Sequence, residues 1–374
     1  MAAMAGEVGG GEWPAAHPVT PQLPPVTNPL EEGWTLPATW YSDEAVLGLE
    51  RERIFTSAWQ YAGPAEQVSE PDSFMASVAG HIPVVVTRAQ DGELRGLVNV
   101  CRHRGHVVAQ GCGSRSTLQC PYHAWTYELD GSLRRAPRSD REPGFAAAEL
   151  SLFPVSVDTW GPFVFVNPDL DAPPLSDALG RLPEIVAQCG LDLDGLRFHS
   201  HVPREQPVNW KVALENYLEC YHCPVAHPGF STVIDVDPDS YRLSVEDGVL
   251  SQVGPLREEA LSGDLRESQY HFVWPNTTIN LSPGPQNISI ERWVPIGPRR
   301  TVEATDYFFG EGVPAERIEE SIEFDTQVAT EDVSLVESVQ RGLDSRTVVQ
   351  GRLMPQSEQL VAAFQRRVHD ALLG

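Results

Sequence analysis

The chain has 374 residues, too many for one small module and enough for two ordinary domains. Its 52 Asp and Glu against 27 Lys and Arg give a formal net charge of −25, which argues against a nucleic-acid binder, because phosphate contacts need clustered cations. Hydrophobic residues at 41% and charged residues at 21% fit a globular chain, and no apolar run reaches the ~20 residues that a membrane-spanning helix needs.

Residues 1–35 carry Gly9, Gly10, Gly11, Pro14, Pro18, Pro21, Pro24, Pro25 and Pro29, a density that predicts a flexible tail or extended arm. This stretch lacks the basic start and apolar centre of a secretory signal. Ser42 then opens a short helix with Val46, Leu49 and Ile54 on one side. Between 59 and 168 the pattern changes to short apolar or alternating runs at 82–86, 97–100, 117–119 and 163–166, punctuated by Gly and Pro. That predicts a small antiparallel β domain, with Asp130-Gly131 as its clearest hairpin turn. After Pro174 the chain reads as α+β. A helix is expected over 210–221, and strands at 241–245, 269–273, 277–281, 288–294 and 301–309. Pro314 opens a long helix to about 343, and an amphipathic helix follows Ser357. Several strands followed by a long helix suggest a helix gripped by a curved antiparallel sheet. The expected divisions are therefore a tail at 1–35, a β domain at 36–170 with its short leading helix, and a second domain at 171–374.

A large chain without a signal peptide is expected in the cytoplasm, with reduced thiols. Three of the six cysteines fall between 101 and 120, and in that compartment such a cluster points to metal binding. The segment Cys101-Arg102-His103-Arg104-Gly105-His106 is followed, sixteen residues after His103, by Cys120-Pro121-Tyr122-His123-Ala124-Trp125. Each pair, C-x-H and C-x-x-H, puts one thiolate and one imidazole on a tight turn. Spacing alone admits tetrahedral zinc or a [2Fe–2S] centre in which two His replace two Cys on one iron. C-x-H lacks the two intervening residues usual in zinc knuckles, and Pro121, Tyr122 and Trp125 offer an apolar lid suited to a redox cluster.

A second constellation lies in 209–228. Glu215, Glu219 and His222 are spaced i, i+4, i+7, which stacks them on one face of the expected helix. Pro224 stops that helix, so His227 can turn back toward His222. Two converging imidazoles need one carboxylate to complete a facial triad for Fe(II) with open positions for O2. Cys220 and Cys223 imitate a zinc pair, but no second thiol pair is near them, so they are expected to be helix-packing and first-turn residues.

The two constellations together resemble the Rieske non-haem iron oxygenases, specifically their large (alpha) oxygenase subunit. The resemblance implies a Rieske [2Fe–2S] domain followed by a helix-grip catalytic domain. It implies that Cys101 and Cys120 hold one iron of the cluster and His103 and His123 the other. It implies that His222 and His227 bind the mononuclear Fe(II), and that Glu219, where the family more often has Asp, links the two metal centres. The third iron ligand implied is an Asp on the long helix, read as Asp332, with Glu331 and Asp325 as alternatives. Ala124 departs from the Gly usual in the family.

The same resemblance implies O2 as co-substrate and a homotrimer in which the cluster of one subunit serves the iron of its neighbour. No Gly-rich nucleotide fingerprint is present. NAD(P)H is therefore expected to act only indirectly, through a separate reductase and possibly a ferredoxin. Arg95, Arg102, Arg104, Arg115, Arg134, Arg135, Arg138 and Arg141 surround the cluster region and suggest a docking face for an acidic donor. The segments around 219–224 and 336–343 look similar to the choline, carnitine and glycine betaine branch, which implies a small N-methyl substrate hydroxylated at a methyl group or adjacent carbon. Aromatic tracts at 270–276 and 307–309 could hold such a cation. The alternatives are hydroxylation of an aromatic ring, or a non-catalytic electron carrier or ligand-binding module.

Overall fold

The computed structural model describes residues 23–246, 248–260 and 265–373. Residues 1–22 of the expected tail lie outside the described part, and residues 23–35 are docked rather than flexible. Leu23, Val26 and Leu30 pack into the hydrophobic core that holds Trp210 and Phe364. Gln350 accepts from the backbone of Thr27 and Asn28 and donates to the Thr35 carbonyl. The proline density that prevents regular structure leaves these backbone groups free to pair with a distant side chain.

The first domain is antiparallel β. Its strands are β1 (Gln60–Pro64), β2 (Ser73–Ala79), β3 (Ile82–Arg88), β4 (Leu94–Val98), β5 (Cys112–Ser114), β6 (Thr117–Gln119), β7 (Thr126–Glu128), β8 (Leu133–Arg135), β9 (Pro154–Trp160) and β10 (Phe163–Asn167). Seven form one sheet in the order β1-β10-β9-β4-β3-β2-β5, while β6-β7-β8 form a separate small sheet. The Asp130-Gly131 turn joins β7 to β8: Gly131 has φ +90°, and Asp130 Oδ1 accepts from the Ser132 amide at 2.8 Å.

The second domain carries β11 (Leu196–Gln206), β12 (Arg242–Glu246), β13 (Val249–Pro255), β14 (Glu267–Val273), β15 (Thr277–Leu281), β16 (Asn287–Gly297) and β17 (Arg300–Gly310). They make one antiparallel sheet in the order β11-β17-β16-β15-β14-β13-β12. Its helices, after α1 (Glu44–Arg53) of the leading segment, are α2 (Leu175–Leu179), α3 (Leu182–Gln188), α4 (Trp210–Tyr217), α5 (Cys223–Ala226), α6 (Pro228–Val233), α7 (Ala315–Asp344) and α8 (Gln359–Leu373). The 30-residue α7 runs about 45 Å and is the gripped helix. No helix among the described residues is long and apolar enough to cross a membrane.

The leading segment belongs to the second core, not to the β domain expected to contain it. Trp40, Tyr41, Val46, Leu49, Ile54 and Phe55 join Trp210, Phe364 and Val368 in one buried cluster. Each fully buried aromatic or aliphatic side chain here contributes roughly 1.5–3 kcal/mol. The chain's one lysine, Lys211, is completely buried and pairs with buried Glu50, which also accepts from Trp210 Nε1 at 2.8 Å. A buried charge needs this partner, and the pair ties α1 to α4. The two domains are pinned together as well. Phe163 meets Phe308 edge to face at 5.0 Å, Tyr61 donates to Asp306 at 2.6 Å, and Arg292 donates to the Tyr61 and Ala62 carbonyls.

Candidate metal centres and the cavity between sheet and helix

The two cysteine–histidine loops share one backbone design. Cys101 and Cys120 each accept, through the carbonyl, from the amide four residues on, Gly105 and Ala124 respectively, both at 3.0 Å. Gly105 has φ +73° and Ala124 φ +58°, so both turns close through a left-handed residue. That conformation explains why glycine suits position 124. Alanine adopts it at a cost of about 1 kcal/mol.

Both cysteines are buried and both histidines exposed. The His103 and His123 rings lie 4.6 Å apart, His103 stacks on Trp125 at 5.0 Å, and Tyr122 covers His123 at 3.9 Å. The expected lid is therefore present in Tyr122 and Trp125. Burial pushes the Cys120 thiol up, opposed by the Tyr122 and His123 amides that donate to its sulfur. Tyr127 places its hydroxyl 3.3 Å from the Cys101 sulfur and accepts from the Arg102 amide at 3.0 Å. Two adjacent buried thiols facing two exposed imidazoles, with hydrogen bonds to the sulfurs, are a donor set that fits a Rieske cluster. The expected arginine face is thinner than its sequence. Arg95 pairs with Asp91 and Glu93, and Arg102 donates to the Ser151 carbonyl at 2.7 Å.

The second centre corrects the expected helix. Asn209 caps α4 by accepting from the Lys211 amide, but the helix ends at Tyr217. Beyond it, the Glu219 carboxylate accepts from the Tyr221 and His222 amides, and this side-chain capture competes with continued helix. Glu215 consequently leaves the site. It is buried against Tyr41 Oη at 2.6 Å and Gln365 Nε2 at 3.0 Å, and desolvation pushes it up to about 7. Pro224 starts the single turn α5 instead of stopping a helix. Cys220 and Cys223 are joined by a disulfide, against the expectation of reduced packing residues; the turn brings their Cα atoms to 4.9 Å, within bridging range.

His222 and His227 converge as expected. Their Nε2 atoms are 3.1 Å apart, and Asp332 Oδ1 lies 3.0 Å from His227 Nε2 and 3.5 Å from His222 Nε2. The opposite ring nitrogens are occupied, His222 Nδ1 by Glu219 Oε1 at 2.5 Å and His227 Nδ1 by Glu331 Oε2 at 2.7 Å. These carboxylates favour the tautomer that turns each Nε2 lone pair toward Asp332. The Asn216 side chain also bonds the Asp332 carboxylate. Asp332 Oδ1 is buried and has no hydrogen-bond partner. Two imidazole lone pairs and an orphaned carboxylate oxygen, clustered within 4.8 Å, fit a divalent iron. Of the alternatives, Glu331 supports His227 from behind and Asp325 bonds Ser282 at 2.8 Å. Asn216, which carries no metal-ligand signature in the sequence, follows Glu215 directly and was not expected at this site.

Beside this triad, a cavity of about 140 Å³ opens between the sheet and α7. On α7, Asp325, Val328, Asp332 and Val336 recur at three or four residues and present one face to it. Tyr217, Phe230, Tyr241, Tyr270, Trp293 and Phe324 supply rings to its wall. Of the aromatic tracts read in the sequence, Tyr270 reaches this wall, while Phe272 and Phe308 pack in the cores.

Residues 58–155 match the Rieske [2Fe-2S] domain and residues 193–374 the ring hydroxylating alpha subunit catalytic domain. The chain is 34% identical to the carnitine monooxygenase oxygenase subunit of Acinetobacter pittii (strain PHEA-2), over 91% of this chain and 95% of that protein. The chain belongs to the Rieske non-haem iron oxygenases. It is an oxygenase component and carries a Rieske cluster and a mononuclear iron that activates O2. It is also 33% identical to the chloroplastic choline monooxygenase of Amaranthus tricolor, over 92% of this chain and 79% of that one. The structure of the quaternary ammonium Rieske monooxygenase CntA with an inhibitor superposes with a TM-score of 0.83, at 34% identity, over 91% of this chain and 96% of that one. A naphthalene 1,2-dioxygenase from Rhodococcus sp. shares the fold at 20% identity.

Proposed function

We propose that this oxygenase hydroxylates a small N-methylated ammonium compound at a methyl group or the adjacent carbon. The observation that carries this reading is the cavity at the iron triad, walled by six aromatic rings and by buried carboxyl groups. Aromatic faces attract an ammonium through the ring quadrupole, the more so when water is excluded. The carnitine and choline monooxygenases among the relatives agree with this choice over ring hydroxylation.

In this reading His222, His227 and Asp332 hold the iron, and Cys101, Cys120, His103 and His123 hold the cluster. The cluster supplies single electrons and the mononuclear iron activates O2. Glu219 and Glu331 orient the two iron-binding imidazoles, and the cavity wall positions the methyl group and excludes water. Each turnover joins O2, two electrons and two protons to one C–H bond, giving a hydroxylated carbon and water. Attack at an N-methyl group gives a carbinolamine that releases formaldehyde.

The electrons come from NAD(P)H through a separate reductase, with or without a ferredoxin, in the cytoplasm. The working unit in this reading is a homotrimer, with Glu219 spanning from His222 to the cluster histidines of a neighbouring subunit. Glu219 is near the surface, beside exposed Tyr221 and Val225, which supports such a contact. The test is NAD(P)H-driven O2 uptake with a surrogate reductase, across N-methylated and aromatic compounds, with formaldehyde measured. Formaldehyde or a hydroxylated amine is expected from an N-methyl compound. Turnover of aromatic rings alone would refute the assignment.

A further inference from the structure

Three carboxyl groups in the cavity are left over once the iron triad and its supports are accounted for. Glu291 on β16, Glu303 on β17 and Asp325 on α7 all line it. Their hydrogen bonds come from neutral groups. Glu291 accepts from Thr278 and from Asn280 at 3.1 Å, Glu303 from Gln206 at 2.6 Å, and Asp325 from Ser282 at 2.8 Å. Among the described residues, no Lys or Arg lines the cavity. One guanidinium acts on the group from outside. Arg204 lies across from Glu303 in the β11–β17 register, with Nη1 3.9 Å from Oε2.

Three carboxyl groups against one guanidinium are an excess of acid in a desolvated place. Burial, with Glu303 and Asp325 nearby, pushes Glu291 up to about 8, and burial pushes Asp325 up to about 7. The groups await a cation or a hydrogen-bond donor, which would hold them ionised. Asp325 is two turns, or about 10 Å, along α7 from Asp332. A substrate with its methyl group at the triad therefore has its other end within reach of this acidic wall.

We propose that the other end of the substrate is a hydrogen-bond donor, a hydroxyl or a second amine, held by Glu291, Glu303 and Asp325, and that the chain discriminates against N-methyl compounds ending in a carboxylate. The proposal rests on the N-methyl reading and narrows it. A zwitterion's carboxylate offers these groups neither a cation nor a hydrogen-bond donor, and wherever they are ionised it is repelled at low dielectric; among the described residues no cation lines the cavity to offset this. The chain would then differ from the similar CntA, which has been solved with γ-butyrobetaine and with L-carnitine.

The experiment is calorimetric titration of the iron-loaded protein with four probes: choline, an N,N-dimethylated diamine, γ-butyrobetaine and L-carnitine. Choline or the diamine is expected to bind at least about tenfold more tightly than either zwitterion. Tighter binding of the diamine identifies the second group as an amine, and tighter binding of choline identifies it as a hydroxyl. Glu291→Gln and Asp325→Asn are each expected to weaken that binding by about tenfold while iron content stays at about three per subunit. Equal or tighter binding of a zwitterion to the unaltered protein overturns the proposal and leaves the N-methyl reading standing. Binding of an aromatic hydrocarbon with none of the four probes bound overturns both.

Discussion

The cluster loops and the mononuclear site each present two imidazoles, and the chain reaches that end by different routes. In the loops, every proposed ligand lies within three residues of its partner in sequence, and the turn that displays it is closed by its own backbone, Gly105 to Cys101 and Ala124 to Cys120. At the mononuclear site, His222 and His227 come from irregular chain after α4, while Asp332 arrives from the middle of α7, more than a hundred residues later. The histidines of the loops are exposed, whereas His227 is buried and braced from behind by Glu331. The loops can hold their shape locally, and the triad depends on the sheet that seats α7. Electron entry needs an exposed edge, and O2 activation needs a shielded pocket.

If the two sites are structurally independent, Asp332→Ala empties one and spares the other. Iron is expected to fall from about three to about two per subunit, with the visible spectrum of the cluster retained and product formation undetectable. Loss of the cluster as well would break the distinction. Glu219→Gln sharpens it, because Glu219 is the proposed link. Both metals are expected to stay while turnover drops by about 10–100-fold, read as product formed per cluster reduced. Normal product formation by this variant would remove Glu219 from the electron path. The smallest effect is expected inside one loop. Ala124→Gly relieves a left-handed alanine and should stabilise the Rieske loops by about 1 kcal/mol, raising the temperature at which the cluster absorbance is lost. An unchanged or lower midpoint would mean that the alanine carries no strain.

Elements with strong periodicity were legible. The expected strands at 117–119 and 277–281 coincide with β6 and β15, and the long helix from 314 with α7. By contrast β11 went unseen, because it is an edge strand with a largely exposed face and contains Pro203, which a central strand would exclude. The paired Cys–His loops and the His222–His227 pair were readable from residue type and spacing. The exit of Glu215 from the site was not, because helical spacing assumes a helix that Glu219 ends by capturing backbone amides. The Cys220–Cys223 bond was missed because the thiols were expected to be reduced and the pair was read only as a possible zinc site.

Length and two short motifs pointed by themselves to a two-domain chain with two metal centres. Such properties depend on composition or on residues close in the chain, whose geometry backbone turns dictate. Only the tertiary structure decided which carboxylate of the crowded α7 faces the histidines, that Glu331 braces one of them, and that Glu291, Glu303 and Asp325 share one cavity. Those juxtapositions join strands and helices far apart in sequence. They are set by sheet register and by the rotation of α7 about its axis, which packing fixes and local spacing does not.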